Sequence, residues 1–218
     1  MSRTEEEKAL SITPSYRSYA LALFLLVYVI NFVDRQIFSI LIEPIRLEIH
    51  LSDTQLGLLG GIAFAIFYTF AGIPIARWAD VGVRKNIVAL ALVIWSVMTM
   101  FTSTAKGFGT LLIARVGVGI GEAGCSPPIH SLISDMYPEE ERGTALSTYA
   151  LGIPIGAAIG TLVGGWIGEY FGWRMAFMVV GLPGIIVAIV VFFTVREPPR
   201  GYSEPDHVQV QKDLVPLA

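Results

Sequence analysis

The sequence predicts an all-α protein built from membrane-spanning helices. Of its 218 residues, 54% are hydrophobic and only 15% are charged, whereas a soluble domain has about 25% charged residues. The mean hydropathy is +0.64. The apolar residues also form continuous blocks, and a block of about 20 such residues is long enough to cross a bilayer. Together these observations indicate a polytopic membrane protein.

Six blocks meet this length requirement, and short connections separate them. We expect a cytoplasmic segment over residues 1–18, a six-helix transmembrane bundle over 19–195 and a cytoplasmic linker or tail over 196–218. The first block is too long for the apolar core of a signal peptide, so it is expected to remain as a span. The predicted spans are 19–42, 55–78, 86–104, 110–133, 144–170 and 174–195.

The distribution of Lys and Arg predicts the orientation of the bundle. If the N-terminus lies inside, ten of these residues fall in cytoplasmic segments, and only Arg46, Lys106 and Arg174 fall on the opposite side. Cytoplasmic loops carry an excess of Lys and Arg. Both termini are therefore expected to be cytoplasmic, in an integral multi-pass protein of the plasma (inner) membrane.

Several other classes of function are disfavoured. The net charge of −3 and the lack of a basic run argue against a nucleic-acid partner. Cys125 is the single cysteine and has no metal-ligand partner at suitable spacing. Residues 119–124 match G-x-G-x-x-G, but they do not open a helix after a strand, so a dinucleotide site is not indicated. His130 lies five residues after Cys125, on a different helical face. We therefore expect no enzymatic activity, no catalytic residue, no cofactor and no metal.

Two predicted spans carry ionisable residues deep within apolar sequence. In the first span, Asn31, Asp34 and Arg35 are spaced i, i+3, i+4 and share one helical face. In the fourth span, Arg115 and Glu122 are seven residues apart and also share a face. Each charge at the middle of a membrane helix costs about 2.5 to 3.5 kcal/mol if it is unpaired. If the two faces meet, Asp34 can pair with Arg115, and Arg35 with Glu122.

This charged face has two interpretations. The ion pairs could be static contacts that join two helices, although hydrophobic residues would do so at less cost. Alternatively, a carboxylate that takes up a proton lies beside cations that bind an anionic group of a substrate. Protonation then frees the arginine, and substrate binding to the arginine favours release of the proton. Such an exchange would couple proton and substrate movement.

The fifth predicted span carries glycines at every fourth position. Glycines on one face let two helix backbones approach closely. This arrangement could serve packing alone, or it could form a sliding surface between moving halves, with Pro154 as a weak point in the backbone hydrogen bonding. The glycines are Gly152, Gly156, Gly160 and Gly164.

Residues 72–85 (GIPIARWADVGVRK) resemble the motif between the second and third helices of the major facilitator superfamily. Asp80, Arg84 and Lys85 match its acidic and basic positions, whereas Ala76, Val81 and Val83 depart from its usual residues. Residues 115–123 resemble the fourth-helix motif of the superfamily, and the glycines of the fifth span resemble its fifth-helix motif. The resemblance implies a cytoplasmic gate formed by Asp80, Arg84, Lys85 and Arg142.

Four further segments together resemble the spinster-like subfamily: NFVDR at 31–35, GIGEA at 119–123, SDMYPEEER at 134–142 and GWRMAF at 172–177. Spinster-like proteins are associated with export of sphingolipids and lysophospholipids, and their bacterial members look proton-coupled. The resemblance implies that Asp34 is the proton site, with Glu122 as a second proton-coupling residue. It also implies that Asn31, Arg35 and Arg115 line the substrate cavity.

Superfamily transporters have two six-helix halves, with substrate bound between them. The resemblance therefore implies that this chain is one half, with two inverted three-helix repeats and with spans one and four facing the cavity. We expect it to belong to a longer transporter or to pair with a second six-helix half in the lipid bilayer. The predicted function is proton-coupled transport of a small amphipathic or organic anion, similar to a lysolipid or sphingolipid. Sugar-acid or drug-type substrates remain an alternative, as does a truncated, non-transporting bundle.

Overall fold

The computed structural model describes residues 12–204, and the regular structure within this range is entirely helical. The all-α class predicted from composition is therefore confirmed. The elements are α1 (Pro14–Ile49), α2 (Asp53–Gly57), a π-helical turn (Leu58–Ile62), α3 (Ala63–Val81), α4 (Arg84–Thr102), α5 (Phe108–Ala123), α6 (Ser126–Met136), α7 (Glu139–Ala150) and α8 (Gly152–Thr194).

Five helical stretches in this range are long and apolar enough to cross a membrane. The fifth stretch, Glu139–Thr194, has 56 residues, well over twice the length of about 20 residues that one crossing needs. It is interrupted at Gly172, whose φ of 81° and ψ of 161° are not helical. The stretches are 14–49, 53–81, 84–102, 108–136 and 139–194.

The chain reverses its direction at Gly172. Before the reversal, Gly168 packs against Leu41 near the end of α1. After it, the chain runs back along α1 until Thr194, whose carbonyl oxygen accepts a hydrogen bond of 3.0 Å from the hydroxyl of Tyr16. α8 therefore supplies two passes, the fifth and sixth spans, and six passes result. This agrees with the six predicted spans.

We call the face with Pro14 and Thr194 the terminal face, and the face with Ile49 and Gly172 the opposite face. Their sidedness in a membrane stays a prediction, with the terminal face expected to be cytoplasmic. The predicted domain limits at residues 18 and 195 also stay predictions. Residues 1–11 and 205–218 lie outside the described range.

Two of the differences from the predicted span limits involve prolines. α1 continues past Pro44 to Ile49, because the apolar residue Ile45 after the proline is fully buried. It ends at His50, whose φ of 58° is left-handed. The fourth span is divided into α5 and α6, since α6 begins with two prolines that lack the backbone N–H needed to continue α5.

α1 packs along both passes of α8, α4 packs against α8 and α5, and α3 packs against α5. Two buried apolar clusters fill these contacts. One lies toward the terminal face and includes Trp95 and Tyr149, and the other lies toward the opposite face and includes Phe38 and Trp173. Along α1 the clusters meet around Asp34, so the predicted charged face lies at mid-bundle.

The four glycines of the fifth span are buried against α1. A Cβ atom at Gly156 would lie 2.5 Å from the carbonyl oxygen of Val29, and one at Gly160 would lie 3.0 Å from that of Val33. A side chain at either position would therefore meet backbone, which cannot move away as a flexible side chain can. The same close approach continues at Gly152 and Gly164, which face Tyr28 and Ile37.

We predict that Gly156→Ala destabilises the protein by about 1 to 3 kcal/mol, because the added methyl group overpacks the contact with α1. The matched control is Gly165→Ala on the same helix, where a Cβ atom meets nothing within 4 Å. Alanine favours the helix there, so the control should be neutral or slightly stabilising. Thermal unfolding of the two variants in detergent is the measurement, and equal melting temperatures would contradict the prediction.

Candidate functional site

An ion pair joins the first and fourth spans at mid-bundle. Arg35 Nε donates to Glu122 Oε2 at 2.7 Å. The Glu122 side chain is fully buried, whereas 31% of the Arg35 side chain is exposed. The pairing of Arg35 with Glu122 expected from the helical faces is therefore present. The pair therefore has one buried partner, Glu122, and one partly exposed partner, Arg35.

Aromatic rings surround the Arg35 guanidinium. Its central carbon lies 5.2 Å from the ring centroid of Phe32, 5.0 Å from that of Phe64 and 5.1 Å from that of Tyr68. A guanidinium within about 6 Å of a ring face is attracted by the ring quadrupole. Two aromatic side chains of the second span, Phe64 and Tyr68, therefore pack against Arg35 of the first span.

Arg115 is placed differently from the sequence expectation. Within residues 12–204 it forms no ion pair, so the expected pair between Asp34 and Arg115 is not formed. Its guanidinium carbon instead lies 3.9 Å from the ring centroid of Phe38, and its Nε donates to the carbonyl oxygen of Leu59 at 3.4 Å. Helical periodicity fixes the face of Arg115 but not which of several neighbours it contacts.

The carbonyl that Arg115 contacts belongs to the π-helical turn of the second span. There, the N–H of Ala63 bonds to the carbonyl of Leu58, five residues earlier, instead of four. Such turns are rare in proteins overall, and those that occur often lie at functional sites. The altered spacing coincides with a backbone acceptor, Leu59, aimed at a buried cation.

Asp34 is buried, with 3% of its surface exposed, and its partner lies on the third span. Thr99 Oγ1 donates to Asp34 Oδ2 at 3.1 Å. Asp34 Oδ1 and Glu122 Oε1 are buried oxygens that have no hydrogen-bond partner among the described residues. Each carboxylate therefore keeps one oxygen able to take up a proton. Asn31 is buried one turn before Asp34 on the same helix.

A second charged cluster lies on the terminal face, around Arg84. This side chain is 1% exposed and forms ion pairs with Asp135, at the end of α6, and with Glu197, after α8. The distance from Arg84 Nε to Glu197 Oε1 is 2.6 Å. A further guanidinium nitrogen donates to the carbonyl oxygen of Pro198 at 2.8 Å. We call Arg84, Asp135, Glu197 and Pro198 the Arg84 cluster.

The other predicted gate residues contribute unequally to this cluster. The backbone N–H of Lys85 donates to Glu197 Oε2 at 3.0 Å. Asp80 is exposed, and no ion pair joins it within the part of the chain that the structure describes. Arg142 is half-buried, and its Nε is buried without a hydrogen-bond partner in that range. The structure therefore gathers Arg84 and Lys85 around Glu197 but not the other two.

Three partners in these sites were missed from the sequence: Thr99, Asp135 and Glu197. A threonine within an apolar span carries no signal that it faces a carboxylate on another span. Asp135 lies inside the spinster-like segment 134–142, and Glu197 lies in a charged run directly after the last span. Both carboxylates could have been considered as partners of the cations at the second connection.

The sequence profile of the Major Facilitator Superfamily matches residues 24–217. The chain belongs to this superfamily. Among solved structures, one described as a bacterial homologue of the human lysosomal transporter spinster, inward-facing and occupied, is similar with a TM-score of 0.84 and 43% identity. The match covers 89% of this chain and 47% of that one. These findings confirm the resemblance to an N-terminal, spinster-like half.

Two curated relatives differ in what their names say they carry. An MFS-type efflux pump of Mycolicibacterium smegmatis is 36% identical over 81% of this chain, and a hexuronate transporter of Bacillus subtilis is 33% identical over 79% of it. This chain spans about 41% and 40% of their respective lengths. Both names denote membrane carriers rather than enzymes, which agrees with the expectation that the chain is not an enzyme.

We predict that Arg84→Ala destabilises the protein by about 3 kcal/mol, because it leaves the carboxylates of Asp135 and Glu197 without their buried cation. Arg77→Ala is the control, since Arg77 is exposed near the end of α3. That variant should unfold within about 0.5 kcal/mol of the wild type. Thermal unfolding in detergent compares the two, and an unchanged melting temperature for Arg84→Ala would show that the cluster does not stabilise the fold.

Proposed function

We propose that this chain is the N-terminal half of a proton-coupled secondary transporter that moves an amphipathic or organic anion. The ion pair between Arg35 and Glu122 carries this proposal. It is a buried pair at mid-bundle with one accessible edge, and it joins two spans that face the central cavity in the superfamily. Membership of the superfamily and the names of the relatives support the transport class.

The proposed coupling is a competition for Arg35. When Glu122 is ionised, it holds the guanidinium, and an incoming anion has to displace it. When a proton binds to Glu122, the pair loses its charge attraction and Arg35 becomes available to the carboxylate or phosphate of a substrate. Because protonation of Glu122 favours binding of the anion, the bound anion in turn favours protonated Glu122, which is the reverse of the proton release expected from the sequence. Asp34 is a second proton acceptor, one helical position from Arg35.

Arg115 has a supporting role in this scheme. It is a buried cation next to two carboxylates, but its direct contacts are the ring of Phe38 and the carbonyl of Leu59. Its positive charge favours anions in the cavity without being neutralised by a direct ion pair. The Arg84 cluster is proposed to hold the terminal face closed, together with Lys85, Asp80 and Arg142.

The substrate class follows from what surrounds Arg35. A cation lined by Phe32, Phe64 and Tyr68 suits a molecule that carries an anionic group beside an apolar part. A lysolipid or sphingolipid fits this description. A sugar acid is the alternative, because it presents a carboxylate and the Bacillus subtilis relative is named a hexuronate transporter. A second six-helix half, in the same bilayer, would complete the cavity.

A bundle that does not transport is the competing interpretation of the same structure. In that case the ion pair between Arg35 and Glu122 would be a static contact, and the buried glycines would serve packing alone. The two interpretations differ in one observable. A static pair gives no link between pH and binding of an anion, whereas competition for Arg35 requires that link.

We predict that Glu122→Gln removes the pH dependence of anion binding. The amide cannot neutralise Arg35 by ionisation, so at neutral pH the variant should bind about tenfold more tightly than the wild type, equivalent to roughly 1.4 kcal/mol. Lysophosphatidate and glucuronate are suitable probes, used with the assembly of both halves in nanodiscs. Arg35→Gln is the control and should bind weakly at every pH. A pH dependence retained by Glu122→Gln would contradict the competition.

We predict that Asp34→Asn reduces proton movement driven by an anion gradient, because the amide takes up no proton and leaves Glu122 as the remaining one of the two proposed acceptors. The assembly of both halves is reconstituted in liposomes that contain a pH-sensitive dye, and the two probe anions are compared. Insertion and monodispersity of the variant should match those of the wild type. Proton flux equal to that of the wild type would overturn the assignment of Asp34.

A further inference from the structure

Thr99 is placed to act on Asp34. Its hydroxyl donates to Asp34 Oδ2 at 3.1 Å, and both residues are almost completely buried, with 2% and 3% of their surfaces exposed. The other carboxylate oxygen, Oδ1, has no hydrogen-bond partner within residues 12–204. The Thr99 hydroxyl therefore supplies a hydrogen bond to Asp34 from the third span, and Trp95, one turn earlier on that span, also interacts with this carboxylate.

Comparison with Thr102 shows that helical geometry alone does not direct the Thr99 hydroxyl to Asp34. Threonine hydroxyls in helices commonly bond to the carbonyl four residues earlier. Thr102, one turn away and 1% exposed, does so, with Oγ1 donating to the carbonyl of Met98 at 3.0 Å. Thr99 directs its hydroxyl across to the first span instead. Both threonines lie on α4 and are almost completely buried, but their hydroxyl groups donate to different acceptors.

The charges that surround Asp34 come from two spans. Arg35 lies on its own helix, and Arg115 and Glu122 lie on the fourth span. The third span has no ionisable residue between Lys85 and Lys106, and α8 has none over 156–168 or 177–184. Over 54–76 the ionisable residue of the second span is Tyr68, whose ring lies against Arg35. From the third span, Asp34 is therefore influenced by the neutral side chains of Thr99 and Trp95 rather than by a charge.

We propose that Thr99 is the positioning residue of the proton site: its hydroxyl stabilises ionised Asp34 and thereby sets the pH at which this carboxyl exchanges its proton. This rests on the proposed role of Asp34. When Asp34 takes up a proton, the carboxyl no longer needs the donor, and the Thr99 hydroxyl can turn to a carbonyl of its own helix. Protonation then releases a contact between the first and third spans.

The test measures protonation of Asp34 directly. The full chain is reconstituted in lipid nanodiscs, and the carboxylic acid stretch is followed by infrared difference spectroscopy as pH is varied. The band lost in Asp34→Asn belongs to Asp34. Thr99→Val removes the donor and should move the midpoint of this band to higher pH by about one unit, the effect expected for one hydrogen bond to a charged group. Thr99→Ser keeps a hydroxyl and should restore the wild-type midpoint.

Thr102→Val is the matched control, because it removes a buried hydroxyl from the same helix without touching Asp34. Its midpoint should equal that of the wild type. Should the valine variant at position 99 fail to fold, Thr99→Ala removes the same donor with a smaller side chain and gives the same comparison.

The outcomes separate the two proposals. A band that titrates in the wild type but has the same midpoint in Thr99→Val or Thr99→Ala overturns the role of Thr99 and leaves that of Asp34 intact. An equal shift in Thr102→Val also overturns it, since the effect would then be one of packing. If no Asp34-dependent band titrates, the proposed proton site itself fails, and the role of Thr99 fails with it.

Discussion

Ionisable side chains in the interior of an apolar bundle have to be stabilised by other parts of the same protein, and much of this structure follows from that constraint. Water is not available along a membrane span to solvate a charge, so each group needs an ion pair, a hydrogen bond or a ring face. Arg35 has both a carboxylate and rings, while Arg115 has a ring and a backbone carbonyl. The first four spans supply these side chains and their contacts, and the fifth and sixth spans pack on α1, the helix that carries Asp34 and Arg35.

The second span shows how a backbone adapts to this constraint. Its π-helical turn lies directly before Phe64, the ring that approaches both Arg35 and Arg115. The turn changes the phase of the helix, so that the carbonyl of Leu59 and the ring of Phe64 both face Arg115, and the ring also faces Arg35. A regular α-helix through this segment would present these two groups in a different relative direction. The departure from α-helical geometry is thus linked to the charges opposite it.

The fold could be predicted from the sequence more completely than the site. Apolar block length gave the number of spans, and helical periodicity gave the faces that carry Arg35 and Glu122. Periodicity gives direction around a helix but not distance to a partner, which is why Arg115 was expected beside Asp34 and instead contacts Phe38 and Leu59. Thr99 is an ordinary residue in an apolar span, and its role depends on which helix lies opposite.

The effect of each proline on where a helix ends could not be predicted from the sequence alone. The first span was expected to end at residue 42, before Pro44, but burial of Ile45 outweighs the loss of one backbone hydrogen bond at the proline. At the fourth span the prolines coincide with a break: the chain leaves α5 at Gly124, and neither proline has the N–H that would continue that helix. Local residue type alone does not separate these two cases, since the surrounding packing decides between them.

The reversal at Gly172 has a mechanical consequence. One residue with a left-handed φ joins the fifth and sixth spans, and the residues on its far side are held by Glu48, which accepts hydrogen bonds from Trp173 and Arg174. This connection has no slack, so one pass of the hairpin cannot be displaced along the membrane normal without carrying the other. The fifth and sixth spans therefore form one hairpin, which is joined to the end of α1 through Glu48. Any bending of this hairpin has to take place away from Gly172, toward the terminal face.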